Sequence, residues 1–365
     1  MDFLLGKYNQ NIRNNKKMVS TDYIIRKRGD LLHVCLNSPG CRYRNSGSCT
    51  MCDYGQGMRL TEKRMKDILS YIKEAAVGMQ SILIGTLGSV FDSAELSLEC
   101  LEMICNTLND LPIKTIIFET HYTMINDMIC QWLKKRLPQK DIVVEVGLES
   151  VDVFVQEKCL NKTINLRELK SKIELLHYYG MSITANAFLG APFLTVKEQI
   201  EDTEKTINWA VDNGVDSIVI FPANIRKNTL LDVLYKNEKY LPIQHWAIFE
   251  LLCSIPLHYL NRIYLAWYGD WIDFDETGKA TNYPPYSCKR CKGKWMEFYH
   301  QFLSEPDSLN RKQILKKYCK KLSLDCDCHN EFIESSEEFM EESIERRIDR
   351  IKNWIVNQYK DTLEN

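Results

Sequence analysis

Apolar positions along this chain fall into two alternating textures. Short runs rich in β-branched residues occupy 31–37, 81–89, 114–121, 142–150, 182–190 and 217–225. Between them lie stretches with helical period, at about 61–78, 95–108, 124–137, 165–179 and 195–213. Glycine punctuates three of the helix ends, at Gly78, Gly180 and Gly214, where its freedom to adopt a left-handed backbone stops a helix. Short strands alternating with helices predict parallel βαβ units. The spacing fits a doubly wound sheet or a (β/α) barrel, complete or partial.

Either architecture gathers functional groups at the C-terminal ends of its strands. Polar residues fall there. Thr86, Gly88 and Ser89 end the second run, and Glu119 and His121 the third. Glu145, Glu149 and Ser150 lie along and past the fourth, Asn186 is in the fifth, and Asn224 is just past the sixth. A carboxylate in a buried parallel strand is costly unless paired, so three of them in such strands predict a site. A salt bridge at the rim is the plainer account of each one alone.

The texture changes after about residue 228. Aromatic residues crowd in: Tyr235, Tyr240, Trp246, Phe249, Tyr259, Tyr264, Trp267, Tyr268 and Trp271. Two cysteine pairs follow. The chain then reads as a long amphipathic helix with Phe339, Met340, Ile344, Ile348, Ile351 and Ile355 on one face. Ser335 and Glu338 form a capping-box signature at its start. The chain divides into a basic N-terminal segment (1–30), a β/α core (31–230) and a C-terminal region (231–365).

Composition changes the picture little. The 365 residues are 45% hydrophobic and 26% charged, with a net charge of −2, which is ordinary for a globular protein. No apolar run approaches the roughly 18–20 residues of a membrane span, and no apolar secretory signal opens the chain. The expectation is a cytoplasmic protein with no membrane partner. Its fourteen cysteines then read as metal ligands or buried thiols, not disulfides. Cys100, Cys105, Cys130 and Cys253 sit in helical patterns and are expected in the core.

The strongest chemical signal is Cys41-Arg-Tyr-Arg-Asn-Ser-Gly-Ser-Cys49-Thr-Met-Cys52, directly after the first run. Thiolates are soft ligands for iron–sulfur clusters or zinc. A structural zinc or a fully ligated cluster takes four protein ligands; three thiolates on a four-iron cluster leave one iron open. Cys35 is the spare thiol, and its place inside an apolar strand reads as buried. A zinc knob is the alternative, but zinc sites favour paired C-x2-C, and only one such pair is present here. The turn Gly85-Thr-Leu-Gly-Ser89 is a weaker sign, since glycines at a strand end let backbone approach a ligand.

These residues carry a resemblance. A three-cysteine loop after the first strand, a glycine-rich turn after the second and a six-fold βα alternation resemble the radical S-adenosylmethionine (SAM) superfamily. Within it, Gly40-Cys-Arg-Tyr43 with Gly47-Ser-Cys-Thr-Met-Cys-Asp-Tyr54 resembles the radical SAM subunit that forms archaeosine in archaeal tRNA, a family related to the Elongator catalytic subunit. Gly88-Ser-Val-Phe-Asp92, Phe118-Glu-Thr120, Glu145-Val-Gly-Leu-Glu-Ser150, Asn161-Lys-Thr163, Phe188-Leu-Gly-Ala-Pro-Phe-Leu-Thr195 and Pro222-Ala-Asn-Ile-Arg-Lys-Asn-Thr229 agree in order. The chain departs from the family at Gly85-Thr-Leu-Gly88, where Thr-Ser-Gly is usual, and at Gly190-Ala-Pro192, where a double proline is usual.

The resemblance implies an α/β fold, a partial (β/α)6 radical SAM barrel with an α-rich, metal-binding C-terminal extension. It implies that Cys41, Cys49 and Cys52 hold a [4Fe–4S] cluster and that SAM chelates the open iron. Gly88 and Ser89 would then lie beside the SAM amino group, and Glu145 and Asn186 would reach its ribose. Glu149 and Asn224 join the cofactor-binding set, and Glu119 and His121 the catalytic one. The implied reaction is hydrogen abstraction by a 5′-deoxyadenosyl radical, with C–N cleavage on a lysine-bearing deazaguanine base of tRNA. A flavodoxin- or ferredoxin-type reductant and a lysine-transfer enzyme are the implied partners. A radical SAM step in small-molecule biosynthesis is a rival reading. A non-catalytic iron–sulfur or zinc RNA-binding protein is another.

Cys288-Lys-Arg-Cys291 with Cys326-Asp-Cys328 forms a second metal candidate, for a structural zinc ion or an auxiliary iron–sulfur cluster, with Cys319 in reserve. The basic N-terminal segment, with Tyr8 and Tyr23 interleaved, reads as an RNA-phosphate contact or a solvated arm. His33, His177, His245 and His258 read as core or surface residues.

Overall fold

The computed structural model describes residues 22–43, 49–54, 57–266, 280–323, 326–337 and 342–358. Tyr8, Trp267, Tyr268, Trp271, Glu338, Phe339 and Met340, all singled out above, lie outside the described residues.

All six expected strands form. They are β2 (Leu31–Leu36), β3 (Ser81–Gly85), β4 (Thr115–Thr120), β5 (Asp141–Glu149), β6 (Ser182–Leu189) and β7 (Ser217–Pro222). The five expected crossovers follow as α1 (Glu62–Ala75), α2 (Leu98–Asp110), α3 (Asp127–Arg136), α4 (Leu166–Tyr178) and α5 (Val196–Asp212). Each helix starts on a side-chain cap: Thr61, Ser97, Asn126, Asn165 and Thr195 each accept a backbone N–H of the first turn.

The strands make one sheet with neighbours in chain order, parallel from β2 through β7. Two further strands extend it. β1 (Tyr23–Arg28) pairs antiparallel with β2 and carries Arg26 and Arg28 opposite His33 and Leu31. β9 (Ile263–Leu265) pairs with β7 at the other edge; a short ribbon of β8 (Ile225–Arg226) and β10 (Asn282–Tyr283) lies outside the sheet. Among the described residues β1 and β9 are the two edges and do not pair with each other. The open order selects a partial barrel over a closed one.

The C-terminal region is helical, with α6 (Leu230–Lys236), α7 (His245–Ser254), α8 (Lys292–Ser304), α9 (Ser308–Ser323), α10 (Cys328–Glu337) and α11 (Ile344–Gln358). The expected single long terminal helix is two. Ser335 does not cap α11: it lies inside α10 and donates to the Phe332 carbonyl. The capping box sits instead at Thr195 and Glu198, before α5. α11 buries Ile351 and Ile355, and its buried Arg347 bonds the Phe193 carbonyl at 2.8 Å. Cys100, Cys105 and Cys130 are buried as expected, but Cys253 is exposed near the end of α7. No described helix is long and apolar enough to cross a membrane.

Candidate active site and thiolate centre

The cysteine loop leaves β2 at the C-terminal end of the parallel sheet and is tied down at several points. Between Cys49 and Cys52, Thr50 is fully buried and donates its hydroxyl to the Cys159 carbonyl at 2.8 Å. Its N–H reaches the Leu160 carbonyl, and its own carbonyl accepts the Leu231 N–H. Next to Cys41, Arg42 forms a two-point ion pair with Asp92, a carboxylate 2% exposed. Cys35 points elsewhere, its thiol donating to the Thr86 carbonyl at 3.9 Å.

Burial pushes the Cys49 thiol up to about 12 against the pull of Lys162, and the neighbouring Cys52 and Cys41 add to the push. Cys41 is raised by the same main cause. Soft thiol donors close enough to oppose one another's thiolate forms suit a bound metal, since coordination deprotonates a thiol outright. The Tyr54 N–H points at the Cys52 sulfur at 3.4 Å, the kind of bond that tunes a cluster thiolate. The donor set therefore fits an iron–sulfur cluster.

The glycine turn packs directly on this loop. A Cβ at Gly88 would lie 2.7 Å from Cys41 Cα and 2.8 Å from its nitrogen, so only glycine fits. The Ser89 hydroxyl meets that of Thr120 at 2.6 Å. Thus the cysteines, the turn and the end of β4 form one layer.

The strand carboxylates lie beside it. Burial raises Glu119 to about 8, helped by the charges of Glu145 and Glu149. Burial raises Glu145 to about 7 even though Asn186 hydrogen-bonds it. Glu149 ends β5 at a bulge with a positive φ of 64°. It pairs with Lys162 Nζ at 2.8 Å, and that Nζ also donates to the Gly147 carbonyl at 2.9 Å. Lys162 is held charged there, the nearby Glu149 and Cys49 outweighing its burial. It follows a π-helical turn (Val155–Leu160) and the left-handed Asn161. Bulges and π-turns of this kind recur at functional sites.

Four buried polar atoms at this end have no partner: Asn37 Oδ1, Asn186 Oδ1, Asn224 Nδ2 and His121 Nε2. An orphaned buried polar atom costs about 1–3 kcal/mol, so each is left for a partner that a ligand can supply. Asn224 is oriented by Asn282, which donates to its Oδ1 at 2.9 Å. His121 Nδ1 lies 2.7 Å from the Thr123 hydroxyl and 3.4 Å from the Thr123 N–H. Burial, with Lys162 and Arg42 nearby, lowers this imidazole to about 4, so it is neutral at physiological pH.

Sequence reasoning thus named most of this layer but not Lys162 or Asn282 as site residues. Lys162 stood in the Asn161-Lys-Thr163 stretch, and a lone basic residue after an αL asparagine carried no signal by itself.

The four C-terminal cysteines also meet. The sulfurs of Cys288, Cys291, Cys326 and Cys328 all lie within 4.8 Å of one another, with 3.5 Å from Cys288 to Cys326 and 3.7 Å from Cys291 to Cys328. Trp246 Nε1 donates to the Cys328 sulfur at 3.3 Å. Trp246 in turn packs on Trp295, Phe249 and the His329 ring. Cys319, in reserve for this group, is exposed and is not part of it.

No family model matches the sequence. The chain is 27% identical over 237 residues to an uncharacterised protein of Methanocaldococcus jannaschii, covering 62% of this chain and 65% of that protein, just under two thirds of its length. It is 25% identical over 277 residues to archaeosine synthase subunit beta of Thermococcus kodakarensis, covering 74% of this chain and 83% of that one. With the same subunit of Methanosarcina acetivorans it shares 23% over 314 residues, 84% and 85% of the two chains. Among solved structures, Elp3 of the archaeon Methanocaldococcus infernus aligns at 15% identity and a TM-score of 0.45, covering 73% of this chain and 60% of that one. Methylornithine synthase aligns at 13% identity and 0.42, covering 68% and 67%. By sequence, the chain is distantly similar to archaeosine synthase subunit beta of two archaea, the family that its cysteine loop resembles.

Proposed function

We propose that this chain is a radical SAM enzyme, with Cys41, Cys49 and Cys52 holding three irons of a [4Fe–4S] cluster and SAM taking the fourth. The observation that carries the reading is the seating of Cys41 on Gly88, in the layer where Asn186, Asn224 and His121 present partnerless polar atoms. The cluster and SAM together supply one-electron chemistry, the cleavage of a carbon–sulfur bond to give a hydrogen-abstracting 5′-deoxyadenosyl radical.

The protein's own groups divide the remaining work. Gly88 and Ser89 bring backbone close to the ligand. Asn186 Oδ1, beside Glu145, accepts from a hydroxyl such as those of the SAM ribose. Lys162, balanced by Glu149, offers the buried cation that a carboxylate needs. Asn224 donates through Nδ2. Glu119, held protonated at neutral pH, can donate without adding charge to the site, and His121 there is neutral.

The likeness to archaeosine synthase subunit beta extends the proposal to tRNA modification. On the resemblance of the cysteine loop, the proposed substrate is a lysine-modified deazaguanine base in tRNA, the proposed step is C–N cleavage to leave an amidine, and the proposed partners are a lysine-transfer enzyme and a flavodoxin- or ferredoxin-type reductant. None of the fourteen cysteines forms a disulfide, the state in which the reducing cytoplasm keeps thiols. The C-terminal thiolates are assigned a structural zinc ion. A tetrahedral ion with bonds of about 2.3 Å sets its sulfurs about 3.8 Å apart, close to the 3.5 and 3.7 Å found; a cubane puts each thiolate on a different iron and spreads them further.

Electron paramagnetic resonance of the anaerobically reconstituted, reduced protein tests the reading. SAM is expected to shift the cluster signal, and an unchanged signal contradicts it. Mass analysis of tRNA carrying the lysine-modified base then tests the substrate: an amidine product supports it, and untouched tRNA points to another substrate.

A further inference from the structure

Glu95 lies between α2 and the glycine turn and is 1% exposed. Its Oε2 accepts the Ser38 hydroxyl at 2.8 Å and the Thr86 hydroxyl at 3.0 Å, and its Oε1 accepts the Ser89 N–H at 2.8 Å. All three partners are buried. Each hydroxyl has one proton and two lone pairs. With the protons spent on Glu95, the lone pairs face the backbone. Ser38 Oγ accepts the N–H of Gly40 at 3.2 Å and of Leu87 at 3.3 Å, and Thr86 Oγ1 accepts that of Gly88 at 3.3 Å.

One carboxylate thus sets the direction of every bond in a relay that spans two loops. One arm holds Gly40, the residue before Cys41; the other holds Leu87, Gly88 and Ser89. A Cβ on Gly88 would meet the Cys41 backbone and the Glu95 carboxylate together. With the N–H groups of Leu87, Gly88 and Ser89 engaged, and the carbonyls of Thr86 and Ser89 accepting from Cys35 and Asp92, the acceptors left to the turn are the carbonyl oxygens of Leu87 and Gly88, which suit an ammonium group.

We propose that Glu95 is a positioning residue: its carboxylate locks the glycine turn against the Cys41 loop and thereby sets the affinity of the site for the ammonium end of SAM. The proposal rests on the reading of the cysteine loop as a SAM-binding cluster site. Glu95 touches neither cluster nor SAM. It acts through Ser38, Thr86 and the backbone. An isosteric glutamine keeps the shape but replaces one acceptor with a donor. Its amide nitrogen then faces a group that also donates, and the relay cannot be satisfied.

The test uses the full-length chain, anaerobically reconstituted, with iron and sulfide counted per chain and SAM affinity measured by equilibrium dialysis. Glu95→Gln is expected to keep the wild-type iron content and to weaken SAM binding at least tenfold. Thr86→Val, which removes one arm of the relay, is expected to weaken it several-fold, and Thr86→Ser to restore it. Wild-type SAM affinity in Glu95→Gln at full iron overturns the proposal, as does a parallel loss of iron and SAM binding, which marks a merely structural role. If Glu95→Gln fails to fold, the Thr86 pair decides, and equal affinity of the Val and Ser variants overturns it. A wild-type protein that takes up iron but binds no SAM removes the enzyme reading itself, an outcome distinct from all of these.

Discussion

Glu119 and Glu145 stand side by side on adjacent parallel strands, paired in register across β4 and β5. Burial keeps both carboxyls protonated far above their ordinary value of 4.5, to about 8 and about 7. The folded chain therefore holds protons that the unfolded chain has released. The stability this gives is fully present below pH about 4.5 and is lost as pH rises through about 7 and 8. Scanning calorimetry is expected to show wild-type Tm falling between pH 6 and pH 8.5. Glu119→Gln removes part of that slope, on the order of 2 kcal/mol at the alkaline end. Parallel slopes for the two proteins contradict the assignment.

The fit of Gly88 against Cys41 predicts a steric effect with no backbone strain involved. In Gly88→Ala the new methyl must displace the Cys41 main chain, at a cost of about 1–3 kcal/mol. Urea melts should show that loss, and iron retained after gel filtration should fall with it. Wild-type stability and iron content together rule out the close packing.

Lys162 and Glu149 form a buried pair whose side chains are 11% and 15% exposed. Removing one partner leaves the other charge uncompensated. Lys162→Met is expected to cost about 3 kcal/mol in urea unfolding, and adding Glu149→Gln to recover most of it. A double variant no more stable than Lys162→Met shows that the pair is not the source of the loss.

The two thiolate groups are expected to separate by metal. Cys41→Ala should lose iron and keep zinc, and Cys288→Ala the reverse, by plasma emission analysis of the purified proteins. Iron unchanged in Cys41→Ala removes that ligand assignment. Iron, not zinc, lost in Cys288→Ala makes the second centre a cluster.

The β/α core was legible because each of its strands is buried and each crossover helix is amphipathic over at least ten residues. β1 escaped notice because Tyr-Ile-Ile-Arg-Lys-Arg reads as a basic arm, and an edge strand needs only one partner. β9 is three residues long, too short to carry a period. Ser335 misled because a capping signature is local, while α10 owes its position to Phe332 and Cys328 packed in the core. The cysteines, Glu119, Glu145, Asn186 and His121 could be named because their types are unusual at strand ends. Glu95 could not. In sequence it is one more acid at the start of a helical stretch, and only the folded chain brings Ser38 and Thr86 to it.

Release of 5′-deoxyadenosine tests the central claim most directly. The anaerobically reconstituted chain is mixed with dithionite and SAM, and the products are separated by liquid chromatography. The account predicts 5′-deoxyadenosine and methionine from the wild type and neither from Cys41→Ala. A wild-type protein with its full complement of iron that leaves SAM intact contradicts it.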